Sequence, residues 1–140
     1  MKIITHNPEE TIELGKKIAV TLLKGDVILL YGDLGSGKTT FTKGIGEGLG
    51  LKSSPINSPT FVLVREYKAK LPIYHLDLYR LDRLEDIEGI GIEEYLYGDG
   101  VTIIEWAEKI KDILPKRYLS VKLKIKDKDE REIIVEDIRD

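Results

Sequence analysis

The spacing of apolar positions changes several times along the 140-residue chain, and each change marks an element. Lys2 to Thr5 reads as a short first strand. Asn7-Pro8-Glu9-Glu10 then supplies an N-cap, a proline at the first helical position and an acidic first turn. Ile12, Leu14, Ile18, Ala19, Leu22 and Leu23 gather on one side at helical spacing, so a helix is expected until Lys24-Gly25-Asp26 stops it. Val27-Ile28-Leu29-Leu30-Tyr31 is apolar throughout, as in a strand buried on both faces of a parallel sheet, and is the expected central strand. A glycine-rich turn, Gly32 to Gly37, leads into a second helix from Lys38 to about Leu49, ended by Gly50.

Beyond a loop over Ser53 to Pro59, Phe61 to Tyr67 and Pro72 to Tyr79 read as two strands of an antiparallel hairpin. Arg83 to Tyr97 is acidic and interrupted by Gly89 and Gly91, a pattern of short broken helices. Val101 to Glu105 is another buried-type strand, and Trp106 to Leu114 a helical stretch closed by Pro115. Leu119 to Lys126 and Glu132 to Ile138 alternate with period two around Asp127-Lys128-Asp129-Glu130, which predicts a terminal hairpin. Strands alternating with helices and ending in hairpins give a three-layer α/β fold with a mixed parallel and antiparallel sheet. The length is that of one domain, residues 1–140.

Composition narrows the chemistry. The absence of cysteine excludes a disulfide framework, a thiolate metal site and a cysteine nucleophile. No apolar run approaches the ~20 residues of a membrane span. Met1 to His6 has no charged-then-apolar leader, so a cytoplasmic location is expected. With 22 Lys and Arg against 25 Asp and Glu, the net charge of −3 is the wrong sign for a surface dominated by nucleic-acid contacts. Lys122, Lys124 and Lys126 share one face of a strand and are read as a solvated edge rather than an RNA-binding stripe.

Gly32-Asp33-Leu34-Gly35-Ser36-Gly37-Lys38-Thr39 matches the G-x-x-x-x-G-K-[ST] pattern of a phosphate-binding loop and lies between a buried strand and a helix start. Glycines allow successive N–H groups to face phosphate oxygens, and the helix N-terminus adds its positive end. Asp33 to Thr40 form the expected nucleotide cradle, with Lys38 on the β- and γ-phosphates and the Thr39 hydroxyl on Mg²⁺. Glu105, closing its strand, is the candidate second magnesium group; alternatively it is an acid favoured by a helix start. His75, Asp77 and Tyr79 alternate with Leu76 and Leu78, which puts three polar groups on one strand face. Asp77 there either orients an attacking water and supports the magnesium shell or pairs with Arg80, His75 being then a half-exposed strand residue. Ser58 and Thr60 lie where a γ-phosphate-sensing loop is found in P-loop proteins, although a Ser-Pro turn has the same pattern. Trp106 reads as a core or interface residue rather than an adenine platform.

Taken together, Gly32 to Thr40, Asn57-Ser58-Pro59-Thr60-Phe61, His75-Leu76-Asp77-Leu78-Tyr79-Arg80 and Ile104-Glu105-Trp106, in this order, closely resemble the bacterial TsaE family, also called YjeE. The resemblance implies a small P-loop ATPase of the tRNA threonylcarbamoyladenosine pathway. It implies ATP and Mg²⁺ as ligands, TsaB and TsaD as partners, and contact with tRNA only through them. TsaD would carry the threonylcarbamoyl transfer, and ATP hydrolysis would reset the complex between turnovers. Lys38 and Thr39 would then bind phosphate and Mg²⁺, Glu105 would belong to the magnesium site, and Asp77 would matter for hydrolysis. Ser36 stands where many members carry alanine, a small change facing the phosphates. No built-in arginine finger is evident, which predicts slow turnover without partners. Two other functions fit the same loop: a small-molecule kinase, which needs an acceptor pocket and a basic lid, and a nucleotide-dependent binding switch with negligible chemistry.

Overall fold

In the computed structural model, which describes residues 1–51 and 64–139, seven strands form one mixed sheet in the order β1-β7-β6-β2-β5-β4-β3. The strands are β1 (Lys2–Thr5), β2 (Val27–Tyr31), β3 (Val64–Tyr67), β4 (Ile73–Asp77), β5 (Val101–Glu105), β6 (Tyr118–Ile125) and β7 (Arg131–Ile138). β2 is central and runs parallel to both β5 and β6, and β4 is parallel to β5. Antiparallel pairs close the two sides, β3 on β4 and β6-β7-β1. Both hairpins expected from the sequence are present, with residues 61–63 of the first expected strand and the loop expected over 53–59 lying outside the described residues.

Helices cover both faces. α1 (Pro8–Ala19) and α2 (Lys38–Gly48) pack on one side, where Leu14, Ile18, Phe41 and Ile45 meet Ile28, Leu30 and Ile103. On the other side α3 (Leu84–Gly89), α4 (Ile92–Leu96) and 3₁₀ turns over Ala107–Ile113 bring Ile87, Ile92, Leu96 and Ile110 onto Val27, Leu29, Leu76 and Ile104. The alternate residues of β2 therefore feed two separate cores, which is why the strand has no polar position.

Asn7 caps α1 as expected, its Oδ1 accepting the Glu10 N–H at 2.9 Å. The helix stops at Ala19, before Leu22 and Leu23. Thr21 turns both its N–H and its hydroxyl onto the Ile18 carbonyl, at 2.9 and 2.8 Å, and so competes with the helical ladder. Leu22 still reaches the core, whereas Leu23 is exposed.

α1 and α2 cross at near backbone contact. A Cβ on Gly44 would lie 2.2 Å from the Ile12 carbonyl oxygen, and one on Gly15 2.5 Å from that of Phe41. This close seat fixes α2, and with it Lys38, against the sheet. The order of elements reverses at β2, and in open α/β sheets the crevice for a ligand forms at the carboxyl ends of strands at such a point. Among the described residues, no helix is long and apolar enough to cross a membrane.

Candidate nucleotide site

The carboxyl ends of β2, β4 and β5 open into a pocket of about 560 Å³, within the size range of small-molecule sites. Leu34, Gly35, Gly37, Lys38, Thr39 and Thr40 form one wall, and Asp77, Tyr79, Glu105, Trp106 and Arg131 the others. The loop can curl here because Gly35 and Gly37 hold φ of 81° and 104°, backbone values that disfavour a side chain. The first N–H groups of α2, which have no partners within the helix, lie at this wall.

Six of the eight residues expected in the cradle line the pocket; Asp33 and Ser36 do not. Asp33 is exposed, and its carbonyl accepts the Ser36 N–H at 3.0 Å. Ser36 lies under the loop rather than facing the pocket. It is buried, its Oγ has no hydrogen-bond partner among the described residues, and a Cβ on Gly32 would stand 2.4 Å from it. Ser58 and Thr60 lie outside the described residues.

β4 and β5 place the carboxylates. Asp77 and Glu105 are paired in register at the strand ends, with His75 opposite Ile103 two pairs further in, on the same face. Ile103 belongs to the core beneath α1 and α2, so His75, Asp77 and Glu105 all face the layer that carries Lys38. The alternation read from the sequence holds through Leu78. Tyr79 follows the end of β4, half exposed, with its ring 4.8 Å from that of Trp106. Lys109 anchors this turn by donating to the Tyr79 and Leu81 carbonyls.

Glu105 is only 3% exposed and accepts from His75 Nε2 at 2.7 Å through Oε2, while its Oε1 stands 3.8 Å from Lys38 Nζ. The helix-start reading of Glu105 is therefore replaced by a buried carboxylate facing a cation and an imidazole. His75 is fully buried, not half-exposed. The Asp77 Oδ1 accepts the Tyr79 N–H at 2.9 Å, an Asx turn that aims the carboxylate along the pocket wall. Burial pushes the Asp77 carboxyl above its ordinary range and the neighbouring Glu105 carboxylate adds to this, against the Tyr79 N–H, Lys38 and His75. A carboxylate so placed is a better proton acceptor than a solvated one.

Trp106 and Arg131 are site residues that sequence reasoning placed elsewhere or left unassigned. Trp106 packs on the second core and also covers Lys38, whose Nζ lies 5.0 Å from the indole centroid. Its φ of 61° is a strained value for a bulky side chain and turns the chain sharply after Glu105. Arg131 opens β7, yet its guanidinium spans to the loop: Nη2 donates to the Gly35 carbonyl at 3.1 Å, and Nη1 to those of Asp127, Lys128 and Glu130. The sheet order joins these regions, and no local pattern announces the junction.

Among the described residues, no group of three or more His, Asp or Glu side chains could cage a metal. Mg²⁺ is ordinarily held by one or two carboxylates together with substrate phosphates and water, so Thr39 and Glu105 beside a phosphate cradle are a fitting donor set. A larger groove of about 830 Å³, lined by Ile3, Leu14, Ile18, Leu119 and Val135, lies between α1 and the β1-β7 edge, away from Lys38, Asp77 and Glu105.

Comparison with known proteins gives the family of the chain. The family described as "Threonylcarbamoyl adenosine biosynthesis protein TsaE" matches residues 5–133. The tRNA threonylcarbamoyladenosine biosynthesis protein TsaE of Bacillus subtilis is 47% identical over 134 residues, covering 95% of this chain and 83% of the relative. That of Treponema pallidum is 39% identical over 135 residues, covering 96% and 99%. The crystal structure of Bacillus subtilis YdiB superposes with a TM-score of 0.81 at 42% identity, covering 99% of this chain and 85% of that one. A match over most of the sequence and nearly all of the fold leaves one assignment: this chain belongs to the TsaE family.

Proposed function

We propose that this protein binds ATP with Mg²⁺ and hydrolyses it as a component of the machinery that makes threonylcarbamoyladenosine in tRNA, working with TsaB and TsaD. The convergence of Lys38, Asp77 and Glu105 on one pocket beside the glycine-rich entry to α2 carries the reading. The names of the relatives support the pathway, and the sequence resemblance supports the partners.

In this reading the N–H groups at the start of α2 and the Lys38 ammonium hold the phosphates, and the Thr39 hydroxyl and the Glu105 carboxylate hold the metal. Mg²⁺ supplies charge neutralisation on the β- and γ-phosphates. Asp77 accepts a hydrogen bond from the attacking water and orients it; the new bond joins the water oxygen to the γ-phosphorus as the bond to the β–γ bridging oxygen breaks. Arg131 braces the loop through the Gly35 carbonyl from the terminal hairpin and lines the same pocket. Its guanidinium is committed to four carbonyls, and hydrolysis is accordingly slow until partners complete the site. The net charge of −3 favours tRNA contact through TsaB and TsaD.

The test is phosphate release by the chain alone and with TsaB and TsaD of the same organism, without any added acceptor. Stimulated release that vanishes in Asp77→Asn supports the proposal. Release only when a small-molecule acceptor is supplied would make the protein a kinase, and nucleotide-dependent partner binding without release would make it a switch.

A further inference from the structure

We infer that His75 is a positioning residue for Glu105, holding one carboxylate oxygen so that the other is presented to the nucleotide-bound metal. The inference rests on the proposed reading of Glu105 as the magnesium carboxylate. His75 is wholly inside the protein, and its Nε2 stands 2.7 Å from Glu105 Oε2. A carboxylate only accepts, so the proton of this bond sits on Nε2. The other ring nitrogen, Nδ1, is buried without a hydrogen-bond partner among the described residues. A histidine kept for the fold alone would be expected to satisfy both nitrogens; among the described residues this one directs its only side-chain hydrogen bond at Glu105.

The geometry of Glu105 explains why such a hold is needed. Its two oxygens are divided, Oε2 towards His75 and Oε1 towards Lys38 at 3.8 Å, beyond hydrogen-bond distance. Once Lys38 is drawn to a phosphate, His75 is, among the described residues, the side chain left to fix the rotation of the carboxylate. The strand register makes the hold rigid, because His75 lies two pairs inward from Asp77 on the same face, diagonal to Glu105 across the β4–β5 ladder. Partners that orient a metal-binding group in this way typically contribute about 10–100-fold in metal affinity or activity.

Isosteres separate positioning from packing. The Gln Nε2 occupies the place of the histidine Nε2, whereas the Asn Nδ2 occupies that of Nδ1, which bonds nothing among the described residues. The experiment is calorimetry of the full chain with a non-hydrolysable ATP analogue, first in EDTA and then at rising Mg²⁺, followed in parallel by the emission of Trp106, the single tryptophan. Expected for His75→Asn and His75→Leu is a half-saturating Mg²⁺ concentration raised about 10–100-fold with metal-free affinity unchanged, and for His75→Gln a value near that of wild type. If His75→Leu does not fold, the Gln and Asn pair decides alone. Equal Mg²⁺ dependence in the Gln and Asn variants, or a matching loss of metal-free affinity in both, overturns the positioning role. A wild-type chain whose affinity for the analogue ignores Mg²⁺ overturns the reading of Glu105 itself, and that result is distinct from the other two.

Discussion

Two regions of one sheet carry charged side chains and treat them in opposite ways. At the carboxyl ends of β4 and β5, His75, Asp77 and Glu105 lie buried beside Lys38 at the start of α2, and the Nδ1 of His75 has no partner among the described residues. On the antiparallel wing, Lys122, Lys124 and Lys126 stand in solvent, and Glu132, itself buried, is paired, accepting from Lys2 at 3.0 Å with Lys126 at 4.0 Å. The same chemical class responds with opposite sign. Burial raises the Asp77 carboxyl, whereas the hydrogen bond from Lys2 holds that of Glu132 below its ordinary range. The wing uses its charges for solubility and for protecting strands; the strand ends retain theirs at a cost in solvation, as functional sites do.

The largest expected effect is at Lys38. Lys38→Ala removes the side-chain cation of the cradle and should abolish detectable nucleotide binding in calorimetry while circular dichroism stays unchanged. Wild-type affinity in that variant would place the nucleotide elsewhere. Asp77→Asn comes next: the amide oxygen can keep the Tyr79 N–H bond, so binding should persist while partner-stimulated phosphate release falls about 10²–10⁴-fold. Glu105→Gln should leave metal-free binding intact and raise the Mg²⁺ requirement by about 100-fold, read by metal titration. The two carboxylates, adjacent in register, thus separate by assay.

Acid titration sharpens the contrast by sign. The Asp77 carboxyl is raised in the folded state, so the fold is favoured by its neutral form and loses that stabilisation as pH climbs through the raised value. Asp77→Asn should melt higher than wild type at neutral pH, the gain disappearing below about pH 3.8, the ordinary value for this group. Glu132 is lowered in the folded state, and its contribution is present above 4.5 and lost as pH falls through the lowered value. Glu132→Gln should therefore melt lower at neutral pH and converge with wild type in acid. Parallel pH curves for the two variants would erase the distinction between the regions.

The smallest effect is expected on the wing. Changing Lys122, Lys124 and Lys126 together to Gln should shift the melting temperature by no more than about 3 °C. Glutamine is preferred to glutamate because Lys124 faces Glu132 in the β6–β7 register, and like charges directly opposite destabilise a sheet. Three phosphate contacts would give a log–log salt slope of only about −2.7, so the isolated chain should bind tRNA weakly. Submicromolar binding at physiological salt that the triple variant loses would turn this wing into an RNA surface.

Most of the elements were legible in the amino-acid pattern because their causes are local. Apolar period, the Asn7 cap and the glycine spacing before Lys38 each act over a few residues, so helices, strands and the expected cradle could be assigned in order. The end of α1 was not legible, since Thr21 diverts the Ile18 carbonyl with a side-chain bond that apolar spacing does not register. What the tertiary structure alone decided is which distant groups meet. His75 and Glu105 are 30 residues apart, and Arg131 reaches Gly35 across 96. Those contacts depend on strand order and register, in which a shift of one residue would turn His75, Asp77 or Glu105 to the opposite core. Trp106 belongs to the same group: its left-handed backbone is strained by itself and is held by the packing of its ring between Lys38, Tyr79 and the second core, an arrangement that exists only once the sheet has formed.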